Sequence, residues 1–144
     1  MIFPDANLLL YAVNSDSPDH DKAWSWWEAL LERDEPVAVC AVVAFAFVRL
    51  ATHPRVFSTP LSVNEAFAYL DNWLEFPSVS FLESEKDDLK VARSLLEAVG
   101  TGGNLVTDAQ IAAMSLRRNG TVCSADADFS RFPGVKWQDP LRLP

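Results

Sequence analysis

Cysteine and histidine are scarce in this 144-residue chain: Cys40, Cys123, His20 and His53 are all there are. No CxxC pair occurs, and so thin a Cys/His set argues against a zinc site. Both cysteines sit among apolar neighbours, so buried thiols in a reducing cytosol are expected. A disulfide would need a compartment that the sequence does not suggest. Long apolar runs are also missing. The longest stretch without a polar side chain, Val37 to Val48, is too short to span a bilayer. No basic segment leads the N-terminus, so no signal peptide is expected and the cytoplasm is the expected location. Basic residues are in the minority, 12 Lys and Arg against 20 Asp and Glu, for a formal net charge of −8. That balance argues against loose, nonspecific nucleic-acid binding, which relies on a basic surface. It suits a basic partner, or a carboxylate-rich site that needs cations.

What is present is ordinary for a folded domain. The length fits one domain over residues 1–144, and the 49% hydrophobic content excludes disorder. No repeat, low-complexity tract or dividing linker occurs. "MIFPD" predicts a short strand ending at Asp5, with Pro4 favouring an edge or a strand end. "ANLLLYAVN" predicts a short helix. Ser17 and Pro18 form a helix start, followed by Trp24, Trp27, Leu30 and Leu31 at helical spacing, a core or interface stripe. "PVAVC" predicts a second strand, and the pattern runs on as a helix to Thr52. The capping box "SVNE" opens a helix at Ser62, "SVSFL" is a strand, and "SEKD" from Ser84 opens a helix that ends near Gly100. Thr107 and Gln110 form another capping box, which puts Asp108 at the first helical position, and Gly120 ends that helix. "TVCSA" is a strand, and "GVKW" a candidate last one. This alternation predicts an α/β domain with a mainly parallel sheet.

The aspartates fall at telling places in that plan. Asp5 follows the first strand, Asp108 opens a late helix, and Asp126 and Asp128 follow the strand around Val122. Open parallel sheets build their sites at the carboxyl ends of strands, so three segments can deliver acids to one edge. If residues 126–128 are extended, Asp126 and Asp128 point the same way. Two such charges at about 4 Å repel by roughly 4 kcal/mol at an effective dielectric near 20, and a divalent cation removes the conflict. Oxygen donors without His or Cys favour Mg²⁺ or Mn²⁺, and phosphodiester hydrolysis is the natural chemistry of such a centre. Aspartate is also common in turns and caps. Asp126 or Asp128 can cap the turn into "FSRF", and Asp108 can serve a helix dipole.

The segments "PDANLLLYAVN", "VRLATHPRVF", "GGNLVTDAQIAAMSLRRNG" and "CSADADFSRFPGVKWQDPL" occur in that order along essentially the whole chain. As an ordered set they resemble the PIN-domain ribonucleases, and within them the VapC toxins of bacterial toxin–antitoxin pairs. The resemblance implies a three-layer α/β/α sandwich and Mg²⁺- or Mn²⁺-dependent endoribonuclease activity on structured RNA, of the tRNA or rRNA class. It further implies a cognate antitoxin and a homodimer. By the same resemblance Asp5, Asp108 and Asp126 are catalytic metal ligands with Asp128 as an auxiliary ligand. Asn7 and Ser124 are supporting residues, Ser124 holding a carboxylate or a water, or capping.

One part of the family pattern is missing. A glutamate usually stands early in the helix after the second strand; aligned on Arg49, that position is Ala44, and no Asp or Glu occurs between Glu35 and Glu65. The departure implies weakened metal binding, and it keeps open a catalytically inactive RNA- or protein-binding module. An aspartate-based phosphotransfer enzyme is a further alternative. It is disfavoured because Asp5-Ala-Asn7 stands where the dehalogenase pattern wants DxD. Arg49, Arg55, Arg117, Arg118 and Arg131 are the candidate phosphate contacts for RNA.

Overall fold

The structure, a computed structural model, describes residues 1–143. At its centre five parallel strands, β1 (Ile2–Pro4), β2 (Val37–Cys40), β3 (Val79–Leu82), β4 (Thr121–Cys123) and β5 (Lys136–Gln138), lie in the order β3-β2-β1-β4-β5. Six helices connect them: α1 (Ala6–Val13), α2 (His20–Glu32), α3 (Ala41–Ala51), α4 (Val63–Leu74), α5 (Lys86–Val99) and α6 (Leu105–Arg117). Parallel strands need crossovers, and these are right-handed. The path β1 to β2 to β3 moves one way across the sheet, which puts α1 to α4 on one face. The return from β3 to β4 puts α5 and α6 on the other. The packing agrees: α1 touches α2 and α3, α3 touches α4, and α5 lies along α6. The expected α/β/α sandwich results. The direction of travel reverses between β1 and β4, and open sheets hold their sites at such a switch point.

Local chemistry explains most element boundaries. Ser62 and Glu65 exchange the two bonds of a capping box at the head of α4. Gly100 ends α5 with φ of 85°, a left-handed conformation that favours glycine. Gly120 has another purpose. The left-handed residue after α6 is Asn119, while a Cβ on Gly120 would stand 2.5 Å from the Phe3 ring. Glycine there lets the chain pass close over β1. Pro4 sits at a strand end, as expected, but β1 is the central strand and not an edge.

Three boundaries differ from expectation. Helix α2 begins at His20, because Ser17 uses its hydroxyl to accept from the Asp19 N–H and residues 14–19 are taken up in turns. The cap of α5 is Glu85 and not Ser84: Glu85 N–H donates to Asp88 Oδ2 at 2.8 Å, whereas the Ser84 hydroxyl points to Met114 Sδ. Helix α6 begins at Leu105. Leu105 N–H bonds Gly102 O and Val106 N–H bonds Gly103 O, so the turn is wound before Thr107 can cap it. Asp108 therefore lies in the first turn but not at the first position. After β4 the condition for Asp126 and Asp128 to point the same way is not met: Asp126 is extended, but residues Ala127–Arg131 form a short 3₁₀ helix that Asp126 caps, the turn role that the sequence also left open.

The core joins both helical layers to the sheet. Trp27 is fully buried and meets Trp73 edge-on with centroids 5.4 Å apart, and Phe47 meets Trp73 at 5.2 Å. Trp24, on the same predicted stripe, is 37% exposed. Cys40 and Cys123 are both buried free thiols, as expected.

In the first turn of α5, facing the end of α6, stands Asp88, only 2% exposed. It accepts from Arg117 Nη1 and Arg118 Nη1, both at 2.9 Å, and from the Glu85 N–H. Burial alone would raise its pKa, but the bonds from Arg118, the Glu85 backbone and Arg117 outweigh it and hold the carboxyl down at about 2. Asp88→Asn is expected to cost about 2–4 kcal/mol, because two partly buried guanidinium groups lose their counter-charge. Urea unfolding would measure it. A folded pKa below the ordinary 3.8 means that this contribution is complete above about pH 4 and is lost as pH falls toward about 2.

Candidate metal centre

The register of β1 against β4 builds the site. Pro4 lies opposite Cys123, and Asp5 N–H bonds Cys123 O at 2.9 Å, so Asp5 and Ser124 leave the sheet side by side. Asp5 caps α1, with Oδ1 accepting from the Ala6 N–H at 2.7 Å. Its Oδ2 accepts from the Ser124 hydroxyl at 2.7 Å.

Ser124 is fully buried and is the hub of the centre. A hydroxyl has one proton to donate and two lone pairs. Ser124 Oγ donates to Asp5 and accepts from Asn7 Nδ2 at 3.1 Å and from the Asp126 N–H at 3.0 Å. Asn7 Oδ1 in turn accepts from the Ala125 N–H at 3.4 Å. The supporting pair singled out in the sequence thus ties β1 and α1 to the loop after β4. Ser124→Ala leaves three polar groups without their partner. We expect it to cost about 1–3 kcal/mol in thermal unfolding, and about tenfold in Mn²⁺ affinity by calorimetry.

Asp126 caps the 3₁₀ helix through Oδ1, which accepts from the Asp128 N–H at 2.9 Å. The capping role and the acid cluster therefore coexist in one residue. Asp108, Asp126 and Asp128 each offer a carboxylate oxygen, and these oxygens all lie within 4.8 Å of one another. Asp5 borders this group with both oxygens already hydrogen-bonded. The cluster strains its own charges. Burial raises the pKa of Asp5, the bonds from Ser124 and Ala6 oppose the rise without cancelling it, and the Asp126 charge adds to it. Burial, and then the charges of Asp5, Asp126 and Asp128, push Asp108 up to about 7. A centre so short of positive charge takes up a proton or a cation. Hard oxygen donors without nitrogen or sulfur suit Mg²⁺ or Mn²⁺.

The candidate arginines divide. Arg117 and Arg118 are held by Asp88, with further pairs to Asp87 at 3.7 Å and Glu85 at 2.9 Å. Arg131 lies 3.7 Å from Asp128, at the rim of the centre. Arg49 and Arg55 are exposed and have no carboxylate partner among the described residues. Ala44 is buried in α3, a helix that contributes no acid.

Comparison with known proteins places this geometry in context. Residues 2–135 match the model of the PIN domain. The chain is 40% identical to Ribonuclease VapC33 of Mycobacterium tuberculosis over 142 residues, 99% of each chain. Its fold is similar to that of VapBC2 from Rickettsia felis bound to a promoter DNA fragment, with TM-score 0.69 and 20% identity over 96% of this chain and 98% of that one. It is also similar to the Mycobacterium tuberculosis sarcin-ricin loop cleaving toxin VapC20, with TM-score 0.70 and 19% identity over 94% and 99%.

Proposed function

The chain belongs to the PIN-domain family, among the VapC ribonucleases, and on that premise we propose that it hydrolyses RNA phosphodiester bonds with a divalent cation held by Asp108, Asp126 and Asp128 beside Asp5. The observation that carries the metal dependence is the convergence of those three carboxylates on one point, with Asp108 pushed up to about 7 by burial and then by the neighbouring acids. A bound Mg²⁺ or Mn²⁺ would supply Lewis acidity at a phosphoryl oxygen and make a nearby water more acidic.

The residues themselves have separable tasks. Asp108, Asp126 and Asp128 gather negative charge where a cation is needed. Ser124 holds Asp5 and the Asp126 backbone in fixed relation, so the two sides of the switch point cannot drift apart. Asn7 braces the same loop from α1. Arg131, pointed at Asp128, stands where an RNA phosphate would meet positive charge. As a VapC-type toxin the chain pairs with an antitoxin, and its structural likeness to the VapBC2 protein supports that partner. Structured RNA of the tRNA or rRNA class is the proposed substrate.

Incubation of RNA with the chain tests the reading. Cleavage is expected with Mn²⁺ or Mg²⁺, is expected to stop with a chelator and to return when metal is restored. Cleavage that persists in chelator contradicts the metal role. RNA binding without cleavage under any metal supports the binding-module alternative, which the acid-free helix α3 favours. Ala44→Glu supplies an acid on that helix and is expected to tighten Mn²⁺ binding in calorimetry. An unchanged isotherm would place α3 outside the centre.

A further inference from the structure

Beside the metal centre, between α1 and residues 56–58, the surface folds into a hollow of about 530 Å³. Asn7 forms part of its wall, and the Asn7 amide is the same group that braces Ser124 and Ala125. The hollow and the acid cluster therefore share a residue.

The lining has two kinds of surface. Leu10, Val56 and Phe57 give apolar walls, with Leu10 and Phe57 buried. Tyr11, Asn14 and Ser17 give polar edges whose donors have no assigned use. Asn14 Oδ1 accepts from the Asp16 N–H, but its amide protons have no protein acceptor among the described residues. Ser17 Oγ accepts from the Asp19 N–H while its own proton has none. The Tyr11 hydroxyl has no partner either. Asp16 and Ser58 also line the hollow, and Asp16 Oδ2 accepts from the Ser58 hydroxyl. Arg55 directly precedes the lining residue Val56 in the chain, and it is exposed and without a carboxylate partner among the described residues.

Apolar walls, free N–H and O–H donors and a cationic residue next in the chain to Val56 match the chemistry of a nucleotide whose base is out of its stack. Sequence-specific recognition of RNA uses such unstacked bases, held against side-chain faces and hydrogen-bonded along their edges. The −8 net charge sharpens the need for it, since this chain has little general basic surface with which to hold RNA. From this geometry we infer that the hollow is the base-recognition subsite: it takes one unpaired base adjoining the scissile phosphate, its donors select a base with a carbonyl edge, and Arg55 holds the neighbouring phosphate. This rests on the ribonuclease reading above and adds to it where the sequence preference comes from.

The test has two arms. In the first, single-stranded RNA with a randomised window is cleaved in Mn²⁺ and the ends are sequenced. The native chain is expected to favour one or two bases beside the cut by at least tenfold. Asn14→Ala and the shape-conserving Asn14→Asp, which lacks the amide donors, are expected to reduce that preference below about threefold. They are also expected to raise KM about tenfold, more than they lower kcat, with Mn²⁺ affinity by calorimetry unchanged. In the second arm, anisotropy of fluorescein-labelled octamers of A, C, G or U measures binding without cleavage, and the Asn14 variants are expected to level the native chain's order. If both variants fold, shown by native circular dichroism, and keep the native preference and KM, the subsite is wrong. If the native chain binds all four octamers alike, it is also wrong. If octamer preference depends on Asn14 but no RNA is cut, the subsite stands and the nuclease reading fails.

Discussion

Asp126→Asn is expected to lower the rate of RNA cleavage at saturating Mn²⁺ by at least about a hundredfold, since loss of even an outer-shell partner costs metal sites 10–100-fold. The substitution is chosen for what it preserves. Asparagine caps helices as well as aspartate does, and its carbonyl oxygen can keep the bond from the Asp128 N–H. The Ser124 bond goes to the Asp126 backbone N–H and survives too. What disappears is one negative charge from a cluster in which Asp5 and Asp108 both feel it. The metal-free chain is therefore expected to melt at a higher temperature after the change, because like charges no longer repel. Lost activity with gained stability is the pattern of a site built at the expense of the fold. If Asp126→Asn lowers stability instead, Asp126 serves mainly as a cap and the acid cluster is incidental. Cleavage rates and thermal unfolding of the same preparation decide it.

Metal binding is expected to depend steeply on pH. Asp108 is pushed up to about 7, so below that value the metal-free chain holds a proton which a cation must displace. Mn²⁺ affinity is expected to rise about tenfold per pH unit as pH climbs toward 7, and to level off above it. Asp108→Asn removes the proton and is expected to flatten the slope, with much weaker binding at every pH. Stability of the metal-free chain runs the other way. An acid whose folded pKa is raised is fully stabilising below its ordinary value of 3.8, and that contribution is lost as pH rises through about 7. Unfolding without metal should thus become easier between about pH 4 and pH 7, and saturating Mn²⁺ should remove that trend. Calorimetry at several pH values, paired with melting curves, measures both.

The parts of this molecule that short-range chemistry decides were open to sequence reasoning. The Ser62–Glu65 capping box is a three-residue device and formed as expected. Strand–helix alternation gave the parallel sheet, and the placement of Asp5 after β1 followed from it. Where a boundary depended on competition, local rules failed. Thr107 and Gln110 have the right spacing for a capping box, yet the turn at Gly102 and Gly103 winds α6 before they can act. Residues 126–128 have the alternation of an extended pair, but only Asp126 is extended, and the chain after its cap winds Asp128 into a 3₁₀ helix. Asp128 still reaches the cluster by this other route.

Long-range pairing was out of reach. Arg117 and Arg118 look like any basic pair at a helix end, and only the packing of α5 on α6 reveals Asp88 between them. Ser124 was recognisable as a small hydroxyl residue near the acids. Its place as the joint between Asp5, Asn7 and Asp126 depends on the β1–β4 register, which no single segment encodes. No sequence signal marked Tyr11 or Asn14, since the hollow they line needs residues 56–58 brought against α1.

The central claim is that Asp108, Asp126 and Asp128, with Asp5 beside them, form a metal centre. Anomalous diffraction from a crystal soaked in Mn²⁺ tests it most directly. The account predicts a strong peak within about 2.0–2.3 Å of carboxylate oxygens from Asp108, Asp126 and Asp128, at a hard-cation coordination distance. A peak elsewhere, or an acid cluster without any at saturating Mn²⁺, would contradict it.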